Sequence, residues 1–142
     1  MAKKDIDWGS LGFSYMETAC SYVSNYKDGK WDEGTLTTDH SITLNECACV
    51  FQYAQTCFEG LKAYRRADGK IQMFRPIENI RRMNRSAERL CLPQIPEDMA
   101  MEILTTFVNL EQDWTPSAEG TSLYLRPFMF GNDETLGVHA VH

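Results

Sequence analysis
Most of the chemistry in this sequence sits on arginine. Arg75, Arg81, Arg82, Arg85 and Arg89 fall within fifteen residues. A guanidinium stays charged and forms paired hydrogen bonds to phosphate or carboxylate oxygens, so the cluster is a candidate anion receptor. Taken singly, each is more often a solvated helix residue, and Arg82 has Glu78 one turn behind it as a ready partner. Tyr124 and Arg126 stand two apart, which on a strand turns both to one face. As an isolated motif they would read as a surface pair. Lys62 invites assignment as a nucleophile, but most lysines are solvated and carry no activation for imine chemistry.

The cysteines carry less. Cys20, Cys47, Cys49, Cys57 and Cys91 are odd in number and scattered, and no secretory leader is evident, so reduced thiols are the expectation. Cys47 and Cys49 give only a weak thiol-switch signal. The histidines, His40, His139 and His142, are not spaced to complete a zinc ligand set, so no metal site is expected. The net charge of −6 without a basic stripe argues against nucleic acid as partner. No uncharged apolar run approaches the ~18 residues of a membrane span. With 43% apolar and 24% charged residues, the 142-residue chain is expected to fold as one globular domain, in the cytoplasm.

The elements that must position these residues are legible in outline. Asp28-Gly29 precedes Lys30-Trp31, and Asp68-Gly69 separates Leu61–Tyr64 from Ile71–Phe74. Asp-Gly between β-prone runs is a hairpin signal, because both positions tolerate positive φ. From Pro76 the period changes. Ile77, Ile80, Met83, Ala87 and Leu90 form one face of a helix that Leu92-Pro93 ends. A second helix is expected from about Glu97 to Asp113, with Met99, Ile103, Leu104, Phe107 and Leu110 buried. A last strand covers about Ser122–Phe130, with Pro127 forcing an edge or a bend. Residues 131–142 read as loop. The pattern is α+β: a two-layer sandwich, mostly antiparallel sheet with two main helices on one face.

Several blocks together resemble a known family. Phe58-Glu59-Gly60-Leu61-Lys62-Ala63-Tyr64-Arg65 is similar to the front strand of branched-chain aminotransferases, pyridoxal phosphate enzymes of fold type IV. In the same order follow Phe74-Arg75-Pro76, Asn79, Arg82-Met83, Arg85-Ser86-Ala87 and Arg89-Leu90-Cys91-Leu92-Pro93. Then come Leu123-Tyr124-Leu125-Arg126-Pro127, Gly131-Asn132 and Leu136-Gly137-Val138. The resemblance covers the family's N-terminal half, so residues 1–142 are expected to be its small N-terminal domain. The Schiff-base lysine then lies in a second domain outside this sequence, and Lys62 does not match it.

The resemblance implies roles. Arg82 would contact the phosphate of pyridoxal 5′-phosphate. Tyr124 and Arg126 would line the substrate pocket, with Phe13, Tyr53 and Phe58 walling its apolar side. Such a pocket must accept leucine, isoleucine or valine and also glutamate, whose second carboxylate needs a charge partner. Gln52 departs from the family pattern, as does the stretch Ala54-Gln55-Thr56-Cys57. Leu136 and Val138 match a loop that reaches the partner's active site in a homodimer. The implied activity is transfer of the amino group of L-leucine, L-isoleucine or L-valine to 2-oxoglutarate, giving branched 2-oxo acids and L-glutamate. The fragment alone is expected to be inactive and to retain no cofactor. Two alternatives stay open at this point. One is another fold type IV enzyme, a D-amino-acid aminotransferase or an aminodeoxychorismate lyase. The other is a non-catalytic partner-binding module.

Overall fold
The computed structural model describes residues 6–140. Among the described residues, nine short strands and three helices follow one another. Strand β1 (Ser21–Val23) pairs antiparallel with β4 (Thr35–Thr37), and between them β2 (Tyr26–Lys27) and β3 (Lys30–Trp31) form a hairpin. Helix α1 (Cys49–Tyr53) leads into β5 (Thr56–Phe58), β6 (Leu61–Arg65) and β7 (Ile71–Met73). Helices α2 (Pro76–Arg89) and α3 (Glu97–Leu110) follow, then a single 3-10 turn at Gln112–Trp114. Strands β8 (Leu123–Leu125) and β9 (Phe128–Phe130) come last. Strand β6 is central in an antiparallel β7-β6-β8 sheet, and β9 pairs antiparallel with β5.

Alternation along β6 decides where the core lies. Leu61 and Ala63 face one way and, with Leu125 of β8, meet Ile80 of α2 and Ala100, Leu104 and Val108 of α3. A second cluster lies under β5 and β9, where Cys57 and Met129 meet Met83, Ala87 and Leu92. Helix α2 therefore serves both clusters, with Ile80 in the first and Met83 and Ala87 in the second. The α+β sandwich expected from the sequence is present, with its sheet divided into short antiparallel pieces.

Local chemistry sets the element ends. Asp28 and Gly29 both adopt positive φ, 52° and 80°, as a tight two-residue hairpin turn requires. The second Asp-Gly turn differs: only Gly69 is left-handed, at 81°, and Arg66 donates its N–H to the Lys70 carbonyl across a longer loop. Helix α2 ends in a Schellman cap. Leu92 N–H reaches the Ala87 carbonyl, Cys91 N–H reaches that of Glu88, and Cys91 takes the left-handed position at φ 55°.

Three expectations need correction. The buried stripe of α3 is Ala100, Leu104 and Val108, continued by Glu111 just past the helix, whereas Leu110 is 54% exposed. The helix is rotated because small Ala100 allows close approach, and because Glu111 finds partners inside. Helix α3 also stops at Leu110 rather than Asp113. The last strand is two strands. Pro127 offers no N–H, so pairing passes from β6 to β5 across it, while its carbonyl still accepts from Glu59 N–H.

Candidate active site
The face of the β7-β6-β8 sheet turned away from the helices carries Gly60, Lys62 and Tyr64, and Tyr124 lies opposite Lys62 in register. Gly60 has no side chain where Tyr124 sits; a Cβ there would lie 2.5 Å from Tyr124 Oη. Phe13 packs edge-on against Tyr124, with centroids 5.3 Å apart. Arg126 donates from Nη2 to Tyr124 Oη at 3.3 Å. Its guanidinium also lies 4.4 Å over the Phe58 ring, a cation–π contact, and the side chain remains exposed. Four of the expected pocket residues, Phe13, Phe58, Tyr124 and Arg126, are therefore one cluster. It is open to solvent, with Phe13 and Phe58 both exposed.

The residue between Phe58 and Gly60 has no role in the sequence-based expectations, yet it organises the neighbouring arginine. Glu59 is only 5% exposed. It accepts a fork from Arg82: Nε to Oε1 at 2.5 Å and Nη2 to Oε2 at 2.7 Å. Asn79 Nδ2 adds a bond to Oε2 at 3.1 Å and another to the Gly60 carbonyl at 3.2 Å. The Arg82 fork, with help from Asn79, holds the Glu59 carboxyl below the usual carboxylate range, against the cost of burial. In turn Glu59 raises the Arg82 pKa further. The alternative Arg82–Glu78 pair does not form. Glu78 is taken by Arg81 at 3.3 Å and Arg75 at 3.5 Å, and Arg81 also reaches Glu97. Arg82 keeps a side chain 60% exposed and, of five guanidinium N–H donors, uses two on Glu59. The rest can meet an anion, so the residue fits a phosphate.

Three expected site residues lie apart. Tyr53 is exposed at the end of α1, and Leu136 and Val138 stand out from the 131–140 segment, Val138 at 87% exposure. No described ring or hydrogen-bond contact joins them to the Tyr124 cluster. Lys62 is exposed on β6.

Two further groups have no counterpart in the sequence-based expectations. Glu111, 1% exposed, accepts from Ala19 N–H at 3.3 Å, Cys20 N–H at 3.0 Å and the Cys20 thiol at 2.9 Å. Burial first, and the bond to Glu111 next, push the Cys20 thiol up to about 11. Cys49, Asp133 and His139 place a thiol, a carboxylate and an imidazole with ligand atoms all within 4.8 Å. Spacing along the sequence misses this group because the fold makes it: Val50 N–H bonds the Gly131 carbonyl and Cys49 N–H that of Asp133. Cys49 Sγ is 4.0 Å from His139 Nε2, wider than zinc's S and N ligands stand apart, while Nδ1 faces the Ala140 carbonyl at 2.8 Å. Its evident role is to fasten the 131–140 segment to α1.

No family model matches the chain. A branched-chain-amino-acid aminotransferase of Haemophilus influenzae is 48% identical over 136 residues, 95% of this chain and 40% of the relative. Branched-chain-amino-acid transaminase 1 of Bacillus subtilis is 44% identical over 139 residues, 97% of this chain and 39% of the relative. The chain thus spans about 40% of the length of the curated relatives it matches. A crystal structure of a branched-chain amino acid aminotransferase complexed with N-(5′-phosphopyridoxyl)-L-glutamate superposes with a TM-score of 0.65. That match covers 87% of this chain and 37% of the other at 19% identity, which speaks for the fold alone. Over nearly its whole length the chain is similar to the N-terminal part of branched-chain aminotransferases.

Proposed function
We propose that this chain is the small N-terminal domain of a branched-chain-amino-acid transaminase. The whole enzyme would move the amino group of L-leucine, L-isoleucine or L-valine to 2-oxoglutarate. The observation that carries the reading is Arg126, stacked on Phe58 and bonded to Tyr124 at an aromatic wall. An apolar side chain can lie on the Phe13, Phe58 and Tyr124 rings, with Tyr53 completing the wall in the assembled enzyme. A second carboxylate, from glutamate or 2-oxoglutarate, meets the Arg126 guanidinium and the Tyr124 hydroxyl instead. One pocket then takes both substrate types. Selection among the three aliphatic side chains is weak, since a methylene is worth only ~1–3 kcal/mol.

Pyridoxal 5′-phosphate, when bound, supplies the electron sink for moving the amino group. Arg82 holds its phosphate through the donors that Glu59 leaves uncommitted. The cofactor-bearing lysine lies outside residues 1–142. The enzyme works as a homodimer in the cytoplasm, with Leu136 and Val138 reaching the partner's pocket. Both side chains stand exposed in the single chain.

The test is an assay of the uninterrupted reading frame that contains this chain. Glutamate should form from 2-oxoglutarate with each of the three branched L-amino acids. Turnover of D-alanine in their place would move the protein to another fold type IV activity, and no turnover with any amino donor would sink the proposal.

A further inference from the structure
We infer that Glu59 is a positioning residue for the anion site. It converts Arg82 from a mobile surface charge into an aimed hydrogen-bond donor. The inference rests on the phosphate role proposed above for Arg82 and goes a step beyond it. Arg82 has four side-chain torsions and is mostly in water, and its described hydrogen bonds all go to Glu59. Glu59 is the opposite: nearly buried and tied by Asn79 Nδ2 and by Gly60 N–H at 3.3 Å. Its own backbone N–H is fixed to the Pro127 carbonyl. A rigid carboxylate thus grips the Nε and Nη2 edge of the guanidinium and leaves the Nη1 edge facing outward. The next residue upstream, Phe58, aims Arg126 by stacking. One turn between β5 and β6 therefore aligns both arginines of the site, one by charge and one by a ring face.

Charge and geometry predict opposite effects here. A carboxylate beside an anion site repels the anion, so by charge alone E59Q should bind phosphate more tightly. The anion would meet the exposed side of Arg82, where water screens part of that repulsion, and the fork that fixes the guanidinium is the larger effect. At metal sites, losing the outer partner that orients a ligand typically costs about 10–100-fold in affinity, and the same scale is taken for this fork.

The experiment uses the uninterrupted reading frame that contains this chain, freed of cofactor and 15N-labelled, titrated with inorganic phosphate and followed at the arginine Nε–H signals, with R82K identifying Arg82. In the wild type the Arg82 Nε–H should be protected from exchange and shift saturably. In E59Q that protection should vanish and the phosphate Kd rise by about tenfold or more. E59D, whose shorter arm cannot close the same fork, should fall between them. N79A keeps both charges and loosens only the tether, so it should weaken phosphate about threefold; it decides the matter should E59Q fail to fold. Equal or tighter phosphate binding in E59Q and N79A overturns the inference and leaves the Arg82 assignment standing. Wild type and R82K binding phosphate alike, or neither binding, overturns the assignment and the inference together.

Discussion
Replacing Gly60 by alanine puts a methyl carbon 2.5 Å from Tyr124 Oη and 3.1 Å from two atoms of its ring. Ordinary contact begins near 3.5 Å, so the hydroxyl must retreat by about 1 Å. An aromatic ring cannot bend away and must swing as a unit. The Arg126–Tyr124 bond, already 3.3 Å long, then breaks, and the Phe13 edge contact loosens. Stability should barely change. Gly60 lies outside the positive-φ region, so alanine gains about 0.4–1 kcal/mol by restricting the unfolded chain. Losing the aromatic pair costs about 0.5–1.5 kcal/mol. The difference stays within about 1 kcal/mol, or a few degrees in Tm. Recognition should change much more. Misplacing one donor to the second substrate carboxylate removes a charge-assisted bond of about 1.5–3 kcal/mol, which is roughly ten- to a hundredfold. In the intact enzyme, kcat/KM for 2-oxoglutarate should fall by that factor while the branched 2-oxo acids lose much less. Equal losses on both substrates, or a Tm drop of more than about 8 °C, would refute the reasoning.

Other outcomes follow from the same structure. Leu104→Ala in the first core cluster should lower unfolding stability by about 2–5 kcal/mol in a urea titration. In timed alkylation at pH 8 read by peptide mass spectrometry, exposed Cys91 should react well before Cys20. Cys20 is buried with its pKa raised to about 11 and is thiolate only to about one part in a thousand at that pH. Glu59 titrates below its unfolded value, so its contribution is fully present above about pH 4.5 and is lost as pH falls through the lower, folded value. The stability gap between wild type and E59Q, measured by denaturant melts, should therefore hold from pH 7 to pH 5 and close in stronger acid.

The sequence announced some of this and concealed the rest, for identifiable reasons. The α2 face is readable because its apolar spacing is strict and Pro76 marks its start. The phase of α3 is not, because Ile103 and Phe107 are as apolar as the residues that are buried. Helix rotation there is decided by Ala100 and by the carboxylate of Glu111, whose partners Ala19 and Cys20 lie some ninety residues away. The β1–β4 pair and α1 leave no periodic signal because each element is five residues or fewer. In the site, Tyr124 and Arg126 share a face as strand geometry demands. Glu59 stands inside a family-like motif without a legible role, because a buried acid acquires meaning only from the arginine that meets it. The 131–140 segment reads as loop in both descriptions, and its attachment to α1 through Cys49 has no local signature.

The split at Pro127 also bears on the order in which the molecule is made. Hairpin β6–β7 and the packing of α2 on α3 join residues close in sequence and can form early. By contrast β9 must close on β5, Phe130 beside Thr56, and β8 on β6 across a similar span. Long closures carry a larger entropic cost and form late. During synthesis, then, a nascent chain holds a largely built scaffold before Tyr124 and Arg126 emerge. The residues proposed to recognise substrate thus dock late, and Pro127 is where one arriving segment is shared between two waiting strands.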